Sequence, residues 1–364
     1  MPEHKQPLNI ALIGQGFMGR VHSNAFRQVN FFFDTPYDVN LTVLVGQDSQ
    51  RLEANASRWG WKETATNWQQ VVEREDIHVI DVSVPNSLHG SIAVAAARAG
   101  KIVLCEKPLA MSLAEARSMA DAAKDVPNLV WFNYRRVPAV AYAKRLIEEG
   151  RLGEIFHYRA TYLNQSGSDP SKTSGWRYRR KDSGTGVIGD LLSHSVDLAL
   201  YLNGEISQLN AMTHTFAAGR DVDDAALLMV KFANGSVGSF EATRYAVGYR
   251  NQNVFEMHGA RGMLRFNLED MNRLEFFDAS EKPNLQAPRS LLVTGPDEPY
   301  SNNFWKPGHL LGYEHTFIAT LGDFLNAVAK KEEFRANFED GVAVQRILDA
   351  VEKSARDRSW IELN

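Results

Sequence analysis

The sequence predicts two successive architectures: an α/β unit with a doubly wound parallel sheet, then an α+β unit built on a mostly antiparallel sheet. Three observations carry this. Apolar β runs alternate with helical patterns from Leu8 to about residue 135, the rhythm of parallel strands joined by crossover helices. Beyond Gly153 strand patterns follow one another, with hairpin signals at Asn234-Gly235 and between Gly259 and Gly262. At 364 residues the chain is long enough for about two domains, each with its own core. The expected division is 1–135 and 136–364.

The first β run, 8–13, leads into Gly14-Gln15-Gly16-Phe17-Met18-Gly19, after which Met18, Val21, Ala25 and Val29 recur at helical spacing. A strand, a G-x-G-x-x-G turn and a helix form the context in which glycines let a pyrophosphate approach the free N–H groups of a helix N-terminus. Dinucleotide binding is the expectation. The phenylalanines 31–33 lengthen the next connection and are expected to pack on the sheet edge. The second strand, 41–45, should end in an acid that bonds the ribose of NAD. Gly46 stands there instead, followed by Gln47 and Asp48, and no arginine follows at once to hold a 2′-phosphate. This favours NAD over NADP without closing the question. Asp48 equally suits the cap of a helix carrying Leu52, Ala56 and Trp59 inward and ending at Gly60.

A buried strand at 77–85 ends in Pro85, and Asn86 is expected to cap the helix that closes at Gly100. The run 101–108 then places Lys107 before Pro108, which pushes it out of helical geometry and stops the strand. In an open α/β sheet such a strand end faces the ligand crevice. An isolated lysine there would more simply snorkel to water. Ser112 to Glu115 reads as a capping box, 128–133 as a sixth β run, and Pro138 to Gly150 as a helix.

In the second unit a strand at 155–162 precedes a loop rich in Gly, Ser and Arg, 164–186, and a helix at 189–202. On that helix Asp190, His194, Asp197 and Tyr201 form one polar stripe, with Leu191, Leu198 and Leu202 on another face. A solvated face, a metal pair and a general base beside a carboxylate compete as readings. The metal pair lacks a third ligand by spacing. An amphipathic helix at about 313–330 carries Phe317, Leu321, Phe324 and Val328 as its apolar stripe.

Bulk properties exclude little but narrow the class. Forty basic against 44 acidic residues give −4, so no global field favours nucleic acid or an anionic membrane, and no apolar run reaches the length of a membrane helix. The start lacks a signal-peptide layout, so the cytoplasm is the default expectation. The single cysteine, Cys105, excludes an intrachain disulfide and a cysteine-based zinc cage, and reads as a packed thiol.

Gly14-x-Gly16-x-x-Gly19, Pro85-Asn86-x-x-His89, Glu106-Lys107-Pro108 and Gly189-Asp190-x-x-x-His194-x-x-Asp197 resemble, in order and spacing, the glucose–fructose oxidoreductase / inositol dehydrogenase / MocA-like family. The stretch 132–138 resembles its inositol and levoglucosan dehydrogenase branch. The resemblance implies a Rossmann domain, an open β-sheet domain that often mediates homo-oligomerisation, and Lys107, Asp190 and His194 as the catalytic group. It also implies NAD, with NADP left open, held by 14–19, Gln47, Asp48, Pro85, Asn86, His89, Glu106 and Lys107. The implied reaction is oxidation of a secondary hydroxyl on a cyclic polyol or sugar: an imidazole titrating near neutrality takes the proton and an ammonium steadies the alkoxide. Tyr134 and Arg135 after the sixth strand, Trp176 in the long loop as a lid, and Tyr313 opening the last helix are expected substrate contacts beside Lys107, Asp190 and His194. A non-catalytic dinucleotide or sugar sensor of the same fold is the rival, as is an NADP-dependent sugar reductase; a sensor would need none of the three polar groups together.

Overall fold

The computed structural model describes residues 5–169 and 175–363. Along the first unit run β1 (Gln6–Ile13), α1 (Phe17–Phe32), β2 (Tyr37–Val45), α2 (Ser49–Trp59), β3 (Glu63–Ala65), α3 (Trp68–Val72), β4 (Val79–Val82), α4 (His89–Arg98), β5 (Ile102–Cys105), α5 (Leu113–Ala123) and β6 (Asn128–Val130). All six strands are parallel, in the order β3-β2-β1-β4-β5-β6. The second half of β1, all of β4 and most of β5 are buried, as parallel strands covered on both faces must be. Local chemistry sets the helix ends. Asp48 accepts the Arg51 N–H at 3.1 Å and Gly60 closes α2 in the left-handed region, φ 87°. Ser112 accepts from Glu115 N–H, while the Glu115 carboxylate reaches back to Met111 N–H at 2.8 Å.

The second unit follows with α6 (Pro138–Glu148), β7 (Ile155–Leu163), α7 (Arg180–Ser183), α8 (Ser193–Asn203), β8 (Ile206–His214), β9 (Ala225–Phe232), β10 (Val237–Thr243), β11 (Gln252–Gly259), β12 (Gly262–Asn267), β13 (Arg273–Asp278), β14 (Arg289–Leu292) and α9 (Ser301–Phe304). Then come α10 (Tyr313–Lys330), α11 (Phe338–Asp357) and β15 (Ile361–Glu362). Its nine strands run β14-β13-β12-β11-β7-β10-β9-β8-β15, antiparallel except for β7 beside β10. Both expected hairpins form: Leu228 lies opposite Phe240 around Asn234-Gly235, and Met257 opposite Leu264. One face is core, with Tyr158, Val230, Phe240, Met257 and Leu264 turned inward. On the other, alternate residues such as Met212, Leu227, Met229 and Val237 are exposed.

The chain does not divide at one point. The first unit comprises 1–133 and 312–343, the second 134–311 and 344–364. The expected boundary at 135/136 therefore lies close to the first crossing, but the helix at 313–330, predicted with the second domain, returns to the first. Its apolar stripe explains why. Phe317, Leu321 and Phe324 are each 1% exposed, and Phe317 stands 5.6 Å from the ring of Trp131, the residue that follows β6 by one. Gly322 lies so close to Phe33 that an added Cβ would sit 2.4 Å from its ring. Phe33 thus packs on α10. Next, Ala336 O accepts from Val130 N–H at 2.8 Å and Asn128 takes the Phe338 N–H at 2.7 Å, extending the edge of the sheet. No strong strand or turn signal marks α11, which the sequence reading passed over.

Candidate active site

The order of the first sheet reverses between β1 and β4, where such folds bind their ligand. Gly14 leaves β1 at φ +131°, and a Cβ there would lie 2.2 Å from Ser83 O. A Cβ on Gly19 would lie 2.3 Å from Gly14 O. These two glycines let α1 start against the strand ends. Gly16 differs: nothing stands within 4 Å of its would-be Cβ, and as the N-cap of α1 it supplies no side-chain cap. The helix N-terminus therefore faces open space with its first N–H groups uncapped by any side chain. Beside it, the Ser83 hydroxyl is buried without a hydrogen-bond partner. Open backbone approach, uncapped donors and an unused hydroxyl fit a dinucleotide pyrophosphate. Phe17 is exposed beside the turn, with the Arg20 guanidinium 5.7 Å above its ring, and Met18 is half-buried.

At the end of β2 the Gln15 side chain occupies the place where an acid was expected. A Cβ on Gly46 would lie 2.7 Å from Gln15 Cδ, and Gln15 Nε2 donates to Asp48 O at 3.4 Å. Gln47 is exposed, and the Asp48 carboxylate caps α2. Asn86, predicted to cap α4, does not. It opens a 3₁₀ turn, Asn86–Leu88, set by Pro85, and α4 begins three residues later with Leu88 as an N-cap that makes no side-chain bond. His89, expected in the crevice or as a cap, is fully buried, its Nδ1 3.0 Å from Pro108 O and its Nε2 3.0 Å from Val84 O. Burial pushes its pKa below the ordinary value despite those two carbonyls. It ties the two strand-end turns together.

Under α1 lies a polar cluster the sequence reading did not single out. His22, 0% exposed, has Nδ1 2.8 Å from Asp81 Oδ2 and Nε2 3.0 Å from Glu106 Oε1. Trp131 Nε1 donates to Asp81 Oδ1 at 2.9 Å, and its ring stacks on the imidazole at 4.3 Å. The other Glu106 oxygen accepts the Lys107 backbone N–H at 3.0 Å. Burial opposes charge on His22, but Asp81 and then Glu106 overcome it and push its pKa up to about 9. Burial likewise works to raise the Glu106 carboxyl, yet the bond to His22, its charge and that of Lys107 hold it below the usual carboxylate value. Cys105 is a buried free thiol whose pKa burial raises, in keeping with the packed role expected.

In the second unit the predicted α-helix at 189–202 opens instead as a π-helical turn, Ile188–Leu192, before α8. Asp223, buried, holds that turn by accepting from Gly186 N–H at 2.7 Å and Ile188 N–H at 2.8 Å, while burial raises its pKa against those bonds. A Cβ on Gly186 would sit 1.8 Å from Asp223 O, so the approach requires glycine. The polar stripe is not a solvated face. His194 is 7% exposed and lies between the rings of Tyr134, at 4.4 Å, and Tyr162, at 5.9 Å. Those tyrosines share a hydroxyl contact of 3.2 Å, and Tyr162 donates onward to Asn251 at 2.9 Å. Asp190 is partly exposed, its oxygens 3.7 Å from Arg177 Nε and 3.9 Å from Arg244 Nη2. Arg244 is itself 2% exposed with both terminal nitrogens lacking a hydrogen-bond partner. Trp176 lies under the Arg177 guanidinium at 4.5 Å, bringing part of the expected lid to Asp190; residues 170–174 of that loop lie outside the described ones. Arg135 is engaged elsewhere. Buried, it forms a bidentate pair with Asp197, Nη2 to Oδ1 at 2.6 Å and Nε to Oδ2 at 3.1 Å, and covers the Tyr201 ring, so these three brace α8. Tyr313, in the first unit, packs on Phe317 at 5.1 Å.

A doubly wound sheet with this glycine cradle, in a chain that also carries a strand-end lysine and, one helical turn apart, a carboxylate and a buried histidine, defines a dinucleotide-dependent oxidoreductase. Residues 8–134 match the oxidoreductase family with an NAD-binding Rossmann fold, and residues 140–265 match the GFO/IDH/MocA C-terminal domain. The chain belongs to the GFO/IDH/MocA family of NAD-dependent oxidoreductases. It is similar to levoglucosan dehydrogenase of Pseudarthrobacter phenanthrenivorans, at 39% identity over 98% of each chain. The scyllo-inositol 2-dehydrogenase (NAD(+)) of Bacillus subtilis is 28% identical over 66% of this chain and 68% of that one. A solved levoglucosan dehydrogenase in complex with NADH and levoglucosan superposes with a TM-score of 0.96 at 40% identity, covering 98% of this chain and 99% of that chain.

Two outcomes follow from this geometry. Gly16→Ala, facing open space, should leave the melting temperature unchanged and weaken NADH about tenfold or more, measured by fluorescence titration. Gly14→Ala, forced into Ser83 at positive φ, should instead fail as folded protein. For His22 the folded-state pKa of about 9 lies above the free imidazole value of 6.5, so its contribution is complete below about pH 6.5 and is lost as pH rises through about 9. The stability gap between wild type and His22→Gln in urea should therefore narrow by on the order of 3 kcal/mol across that window. A gap independent of pH would mean an uncharged His22.

Proposed function

We propose that the protein is an NAD-dependent dehydrogenase acting on a secondary hydroxyl of a cyclic polyol or anhydro sugar, with levoglucosan as the first candidate. The observation that carries this reading is the Asp190–His194 pair, held on a buried turn with arginines on the carboxylate and tyrosine rings on the imidazole. The family membership and the similarity to levoglucosan dehydrogenase support it. The uncapped N-terminus of α1 would hold the pyrophosphate, with Gln15 beside the adenosine ribose at Gly46. NAD⁺, when bound, supplies the hydride acceptor. His194 takes the hydroxyl proton, the Lys107 ammonium stabilises the alkoxide as it forms, and Asp190 accepts a hydrogen bond from the sugar and keeps its hydroxyl oriented. Arg177 and Arg244 stand 3.7 and 3.9 Å from the Asp190 carboxylate, and Trp176 offers an apolar surface to the ring.

Reduction followed at 340 nm with levoglucosan, myo-inositol, scyllo-inositol and glucose, each with NAD⁺ and NADP⁺, tests the reading. Turnover is expected with one of the first three and NAD⁺. Lys107→Ala and His194→Ala should each bind NADH normally while kcat falls about 10²–10⁴-fold. Unchanged kcat in both variants would sink the assignment of roles.

The exposed sheet face offers a surface for self-association, and we propose that it joins two copies of the chain. Met212 stands directly opposite Leu227 in the β8–β9 register, with Met229 and Val237 on the same face, 60%, 42%, 55% and 49% exposed in that order. Several large apolar side chains exposed on one sheet face are a feature of interaction surfaces. Light scattering should give at least a dimer for the wild type and a monomer for Leu227→Lys/Met229→Lys; identical masses would exclude this face.

A further inference from the structure

We propose that His22 is a positioning residue for Lys107: by bridging Asp81 and Glu106 it fixes the Glu106 carboxylate, which in turn holds the backbone of Lys107. The proposal rests on Lys107 being the catalytic ammonium. Three features of the first unit argue for it. The two oxygens of Glu106 are divided, Oε1 to His22 and Oε2 to the Lys107 N–H, so a rotation that frees one contact breaks the other. The imidazole cannot follow such a rotation. Its second nitrogen is on Asp81, Asp81 is held by Trp131, the Trp131 ring covers one face at 4.3 Å, and Phe317 stands 5.6 Å away. On the far side of the lysine, His89 takes the Pro108 carbonyl at 3.0 Å. The dipeptide Lys107-Pro108 is thus gripped at its N–H by one buried histidine acting through Glu106, and at its carbonyl by another.

A purely structural account needs less than this. The sheet ladders of β4 and β5 are complete without the cluster. Placing two carboxylates and an imidazole out of water is costly even when all are paired, and apolar residues of similar volume would fill the same space. What the cluster adds is a fixed direction for the strand end that carries the lysine.

The test compares His22→Gln and Glu106→Gln with Lys107→Met, measuring kcat, KM for NAD⁺, the NADH dissociation constant and the folded fraction from NADH titration. An amide at position 22 cannot carry the charge that bridges two carboxylates, and one at 106 removes the charge that His22 grips. Both variants should lose kcat about 10–100-fold per folded molecule, as a displaced catalytic group does, with the NADH affinity of His22→Gln within about twofold of wild type. The double variant should lose no more than the weaker single one. If Lys107→Met is inactive while both folded variants turn over like wild type, the positioning role is overturned. Loss of activity only in proportion to unfolded protein overturns it equally. Full turnover by Lys107→Met would instead refute the reading of Lys107 itself.

Discussion

The first unit depends on one buried ionic contact, the imidazole of His22 set between the carboxylates of Asp81 and Glu106. It joins α1, β4 and the end of β5 at one point, and through Trp131 and Phe317 it reaches β6 and α10. Charges removed from water weaken a fold unless they are paired and hydrogen-bonded, and here both ring nitrogens, both Asp81 oxygens and both Glu106 oxygens have partners. Because α1 is anchored there, three residues past Gly19, its N-terminus is held where Gly14 and Gly19 press against Ser83. The cofactor cradle and the lysine-bearing turn are therefore fixed by the same contact.

The second unit reaches a comparable rigidity by different means. A π turn needs an outside support for its widened backbone, and Asp223 supplies it by taking two N–H groups that the helix start leaves over. The Arg135–Asp197 pair then braces α8 from the opposite end. Between these supports Asp190 and His194 are displayed from a segment with little freedom. Aromatic rings at 4.4 and 5.9 Å flank the His194 imidazole. Two histidines in one chain thus have opposite environments: one locked between acids, the other between tyrosine rings.

How much of this could be read from the chain alone follows from how local each signal is. The glycine turn, the Asp48 and Ser112 caps, the hairpin at Asn234-Gly235 and α10 are written in contiguous residues, and all of them form. Membership of α10 in the first unit is not local; it depends on Phe33 and Trp131, nearly 200 residues or more away in sequence. The π turn escaped because Asp190 and His194 keep the same spacing in either helix, and only the distant Asp223 selects between them. Arg135 looked available for a ligand because its partner lies 62 residues on. His22 and Asp81 did carry a signal: a charged residue inside the apolar run 79–82, and a histidine three positions after Gly19 on the face that α1 buries. Polar residues in such patterns are easily passed over as tolerated exceptions to the apolar rule.

A site of this kind is marked in the sequence at two levels. Residues of the chemical type that could meet substrate stand at strand ends and helix starts, as Lys107 and His194 do. The residues that aim them sit inside the apolar pattern, where a polar side chain persists only if a partner elsewhere compensates its burial. A buried charge in the middle of a strand is therefore a pointer in its own right. In this chain Asp81 leads to His22, His22 to Glu106, and Glu106 to the backbone of the lysine one residue further on, so the core polar group and the strand-end lysine are two ends of one hydrogen-bonded path.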